Sequence, residues 1–141
     1  MFKKRKTIKQ VEEGNELAPK FDQNGFIPVV TTDAKSGVVL MHAYMNEEAL
    51  KKTIATKEAY YYSRSRKCLW HKGATSGLIQ DIKNIYIDDD QDCVWLNVIV
   101  RGEASCHVGY KSCFYRELDI NSKQLELKFI EDEKMFDPDE V

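Results

Sequence analysis

No stretch of this chain reaches the roughly 20 apolar residues needed to span a bilayer. The N-terminus also lacks the apolar core of a secretory signal and opens instead on Lys3, Lys4, Arg5, Lys6 and Lys9. Together these absences set a cytoplasmic default. Positive charge is not in excess: the formal net charge is -2, which argues against nucleic-acid binding by bulk electrostatics. Neither an internal repeat nor a low-complexity linker divides the 141 residues, so one domain with a real core is expected. Cysteine is limited to Cys68, Cys93, Cys106 and Cys113, with no C-x₂-C pair among them. In a reducing compartment these stay as thiols, so metal binding or catalysis outranks disulfides.

The apolar and β-branched pattern that is present predicts a strand-heavy α+β domain. Residues 1–20 read as an arm, 21–130 as the domain and 131–141 as an acidic tail. Phe26–Thr32 and Val38–Tyr44 form a hairpin about the turn Asp33–Gly37. Asn46 caps the one main helix, Glu47 to about Thr56. Further strands are expected at Ala59–Ser63, Leu78–Ile87, Cys93–Val100, Cys113–Leu118 and Leu125–Ile130, in a mostly antiparallel sheet. Arg64–Gly77 is expected to be a loop.

Between two of those strands lies Asp88-Asp89-Asp90-Gln91-Asp92-Cys93, with four carboxylates in five consecutive positions. Four like charges this close need either solvent or a cation. If the segment is extended, Asp88, Asp90 and Asp92 point the same way and converge on one hard divalent ion, with Asp89 and Gln91 on the other side. A calcium loop of the EF-hand type is excluded, because Cys93 and Ile99 stand where it needs Gly and Glu. The bland alternative is an acidic hairpin tip that binds nothing. Downstream, Cys106, His107 and Cys113 supply soft ligands suited to zinc. Two cysteines plus Asp89, Cys93 or His107 give the three protein ligands of a catalytic zinc. Cys68 has no partner pattern and reads as a small buried hydrophobe. His42 and His71 read as ordinary surface or core residues.

The segment Tyr62–Gly77 combines cations, hydroxyls and glycines. Arg supplies forked donors to phosphate oxygens and Lys a point charge. Arg64, Arg66, Lys72 and Ser76 are the candidate contacts, and Trp70 either stacks on a base or packs in the core. An ordinary polar loop is the competing reading.

Four blocks of this sequence resemble one family. They are FIPVVTTDAKSGVVLMHAYMNEEAL, YYYSRSRKCLWHKGATSG, IDDDQD and GEASCHVGYKSCFYREL, spread over roughly residues 21–118 in the family's order and spacing. The chain is similar to the phosphoribosyl-AMP cyclohydrolases of L-histidine biosynthesis. That resemblance implies hydrolysis of the N1–C6 bond of the adenine ring in N1-(5-phosphoribosyl)-AMP, the third step of the pathway. It implies a homodimer dependent on Zn²⁺ and Mg²⁺, with metal sites at the interface and zinc ligands drawn from both subunits. Magnesium falls to Asp88, Asp90 and Asp92, and zinc to Cys106, Cys113 and a third ligand. The family places a Cys where this chain has Asp89. Asp is an acceptable but less selective zinc ligand, so Asp89 is the expected third ligand and Cys93 the alternative. His107, beside Cys106, is the expected general acid/base, or else orients that ligand. The fused pyrophosphohydrolase domain of some relatives is not expected here. Two rivals are a zinc deaminase of another purine nucleotide and a metal-stabilised module without catalysis. Against the first, the H-x-E and P-C-x-x-C elements of the nucleobase deaminases are absent.

Overall fold

The computed structural model describes residues 1–102 and 111–130. Within them the order is α1 (Ile8–Glu13), β1 (Ile27–Asp33), β2 (Val39–Met45), α2 (Glu47–Thr56), β3 (Tyr60–Ser63), β4 (Cys68–His71), β5 (Gln80–Ile87), β6 (Val94–Val100), β7 (Arg116–Leu118) and β8 (Leu127–Phe129).

A four-stranded sheet in the order β2-β1-β6-β5 forms the frame, with β3-β4 and β7-β8 as separate two-stranded ribbons. Alternation in the sequence decides its faces. Ile27, Val29 and Thr31 of β1 are buried with Val94, Leu96 and Val98 of β6, while Trp95 and Ile99 turn outward. Helix α2 closes the buried side with Ala49, Leu50 and Thr53. Its Asn46 side chain accepts the Ala49 N–H at 2.8 Å, the expected cap. Beneath it Tyr61 of β3 is fully buried, and its hydroxyl lies 2.7 Å from Thr31 Oγ1 and donates to Gln80 Oε1 at 2.6 Å.

The α+β class and the mainly antiparallel pairing follow the sequence reading, with two additions. The central pair, β1 with β6, is parallel. Strand β4 also arises inside the expected loop and pairs with β3 from Ser63↔Cys68 to Tyr60↔His71. Its four residues are flanked by cations and glycines, which hide the strand signal. The first 20 residues include a capped helix: the Thr7 side chain accepts the Gln10 N–H, and Gln10 returns the contact. Val11 and Ala18 are buried there, and Phe2 packs on Phe21 at 6.2 Å. Cys68 is exposed rather than buried, because it opens β4 directly after the turn.

Candidate active site

The acidic segment joins β5 to β6, and it is a turn rather than an extended run. Gln91 adopts φ 56°, in the left-handed region that residues with a β-carbon rarely enter. Its N–H donates to Asp88 O at 3.1 Å. Asp88 Oδ1 accepts the N–H groups of Asp92 at 2.9 Å and Cys93 at 3.0 Å. Turning the chain this way brings oxygens of Asp88, Asp89 and Asp90 within 4.8 Å of one another, all three residues exposed. Hydrogen bonds that Asp92 shares with the carboxylates of Asp90 and Asp88, then burial and the charges of those neighbours, push its carboxyl up to about 6. Burial raises Asp88, but the hydrogen bonds from Asp92 and Cys93 prevail and hold it below the usual range. Burial and then the Asp88, Asp92 and Asp90 charges push the Cys93 thiol above its ordinary range. Four hard oxygen donors at one turn match the ligand preference of Mg²⁺.

Gln91 does not face solvent opposite the triad, as an extended strand would have it. It is 5 % exposed, and its amide is inserted into the N-terminal arm. Oε1 accepts the Ala18 N–H at 2.8 Å, while Nε2 donates to Val11 O at 2.9 Å and Glu16 O at 3.2 Å. Sequence reading missed this residue because nothing local to a glutamine signals a left-handed turn.

Cys113 lies away from the acidic turn. Its N–H donates to Leu40 O at 2.7 Å, and Ser112 Oγ donates to Val39 O at 2.6 Å, fixing this segment along β2. Val39 pairs with Thr32, whereas the acidic turn lies at the Val94 end, opposite Val29. The two points differ by two to three residues along the strands and two strands across, about 10 Å in each direction. Among the described residues, therefore, Cys113 does not join the carboxylates of its own chain. Cys106 and His107 lie outside the described residues, as does the acidic tail 131–141.

The basic segment divides into two parts, one at each end of β4, about 13 Å apart. Arg64 and Arg66 stand exposed on the β3–β4 turn, and the Arg64 guanidinium stacks 3.7 Å from the Tyr44 ring centre. Tyr44 pairs with Pro28, one residue before the Val29–Val94 pair. Arg64 and the acidic turn thus share one end of the sheet. Past the other end of β4, Lys72 is 7 % exposed, with Nζ 5.3 Å from the Trp70 ring centre. Ser76 is exposed and its Oγ accepts the Leu78 N–H at 3.3 Å. Trp70 tilts against the buried Tyr61 at 5.6 Å. His42 is exposed, while His71 stacks on Tyr60 and contacts Glu58 Oε1 at 2.8 Å.

The sequence model described as phosphoribosyl-AMP cyclohydrolase matches residues 41–115, from β2 through the basic segment and acidic turn to beyond Cys113. A phosphoribosyl-AMP cyclohydrolase of Rhodopseudomonas palustris (strain HaA2) is 53% identical over 135 residues, covering 95% of this chain and 91% of the relative. Those of Bradyrhizobium diazoefficiens and Nitrobacter winogradskyi are each 48% identical, over 94% and 96% of this chain and 94% of each relative. The chain belongs to the phosphoribosyl-AMP cyclohydrolase family. Both the acidic turn and the basic segment fall inside the matched stretch, whereas the N-terminal arm and β1 precede it. The alignments with these relatives leave too few residues uncovered to exclude the arm. Among the described residues, no helix is long and apolar enough to cross a membrane.

Proposed function

We propose that this chain hydrolyses the N1–C6 bond of the adenine ring of N1-(5-phosphoribosyl)-AMP, the third step of L-histidine biosynthesis, in the cytoplasm. The observation that carries the reading is the carboxylate-rich β5–β6 turn, set at one end of the sheet with Arg64, in a chain of this family. Asp88, Asp90 and Asp92 would hold magnesium. Asp89, Cys106 and Cys113 would hold zinc. Asp89 is preferred to Cys93 because its carboxylate belongs to the exposed cluster, whereas the half-buried Cys93 sulfur is directed to Val94 O at 3.9 Å.

Bound zinc supplies a water whose pKa is lowered to about 7. Arg64 and Arg66 bind one phosphate of the substrate, and Lys72 and Ser76 bind the other, which their separation along β4 accommodates. His107 takes a proton from the water adding at C6 and returns it to N1 as the C6–N1 bond breaks. The exocyclic nitrogen stays on C6 as a carboxamide, so no ammonia leaves.

A homodimer supplies the zinc ligands from two chains. Separation of Asp89 from Cys113 within one chain supports this, as do the exposed Val39, Tyr86, Trp95 and Ile99. The test is turnover of N1-(5-phosphoribosyl)-AMP with both metals supplied, followed by absorbance and an ammonia assay. Ring opening without ammonia is expected. Ammonia release would favour a deaminase, and no turnover a non-catalytic module.

A further inference from the structure

The N-terminal arm precedes the family match, yet it makes the most specific contacts with the acidic turn. Gln91 commits its whole side-chain amide to Val11, Glu16 and Ala18. Its own carbonyl accepts the Lys20 N–H at 2.7 Å. One residue earlier, Asp90 O accepts a hydrogen bond from Arg5 Nη1 at 3.0 Å, and the same nitrogen donates to Ala18 O at 2.8 Å. Two successive residues of the turn are therefore bonded to the arm. Between arm and turn lies a cleft of about 330 Å³, lined on one side by Glu12, Asn15 and Glu16 and on the other by Asp88 and Asp89.

Two forces tend to open this turn. The carboxylates of Asp88, Asp89 and Asp90 crowd within 4.8 Å of one another, where like charges repel, and Gln91 is held at a positive φ that it would otherwise leave. The arm's hydrogen bonds oppose both. A buried amide with all its partners in one segment loses those partners if that segment departs, and leaving it unsatisfied is costly.

We infer that the N-terminal arm is a positioning element of the acidic turn, so that docking of residues 3–20 and binding of a divalent cation by the turn favour each other. This rests on the magnesium reading of the turn. Coupling of this kind is reciprocal: whatever the docked arm adds to cation affinity, the cation returns to arm docking.

The test uses the full chain with saturating zinc, titrated with Mn²⁺ alone. Gln91→Ala should weaken Mn²⁺ binding about tenfold or more and Arg5→Ala several-fold, within the usual span of coupling between sites. Arg5→Lys, which keeps a donor for Asp90 O, should recover part of the loss. Arg5 bonds only to the backbone carbonyls of Ala18 and Asp90, and an unchanged urea midpoint of Arg5→Ala without Mn²⁺ separates a loss of affinity from misfolding. A readout that a purely structural arm would leave unmoved is amide exchange at Ala18 and Lys20, which Mg²⁺ should slow in the wild type. Wild-type affinity in both variants, with exchange at Ala18 and Lys20 indifferent to Mg²⁺, overturns the inference and leaves the magnesium reading intact. If the wild type binds no Mn²⁺, or if Asp88→Asn binds it as well as the wild type does, the magnesium reading fails and takes the inference with it.

Discussion

The third zinc ligand is a single-residue question. If Asp89 is that ligand, Asp89→Ala should lose zinc on metal analysis and Asp89→Cys should retain or tighten it, since thiolate is the softer donor. Loss of zinc in Cys93→Ala but not in Asp89→Ala would reverse the assignment. In the core, Tyr61 joins Thr31 to Gln80, whose Nε2 lies 3.3 Å from Met41 Sδ. Tyr61→Phe leaves Gln80 Oε1 buried without its donor, and the expected loss is about 1–3 kcal/mol in urea unfolding. Four carboxylates in five positions are legible as a cluster from the sequence alone, because composition displays the charge. Their arrangement is not legible, because it depends on the backbone of Gln91, which turns where a strand would have continued. Gln91 is the residue whose role the sequence concealed most.

Strands announce themselves by alternation, and β1, β2, α2, β5 and β6 lie within about a residue or two of where their patterns put them. Pairing is harder to read, since nothing local states which strand lies beside which. The parallel β1–β6 contact, which places β1 between β2 and β6, is a property of the finished fold. At the far end of the sheet, Arg101 holds Asp81 of β5 with two hydrogen bonds of 2.8 Å. These bonds keep the Asp81 carboxyl below its ordinary value. A depressed carboxylate contributes stability above the unfolded value, about 3.9, and loses it as pH falls through the folded one. The gap in urea midpoint between wild type and Asp81→Asn should therefore hold steady above about pH 5 and close on acidification below about 4. A gap that persists at low pH would mean the pair acts through shape rather than charge.

For the whole molecule, the dimeric reading predicts a sedimentation mass about twice 16.4 kDa. It also predicts complementation. Asp89→Ala and Cys113→Ser, each without zinc, should regain zinc and activity when unfolded together and refolded. A mixed dimer then keeps one site with both residues intact. If every ligand came from one chain, mixing would restore nothing. The parallel pairing at the centre of the sheet has a further consequence, in time rather than in space. Strand β1 meets β2 almost as soon as both are made, but Val94, the partner of Val29 on its other side, lies 65 positions later. At a synthesis rate of about 5–20 residues per second, that edge waits roughly 3–13 s for its partner. During the wait a β-branched strand exposes an unpaired row of backbone groups, the template on which chains join wrongly. The hazard of wrong pairing at this strand therefore belongs to the time of synthesis and closes when β6 arrives.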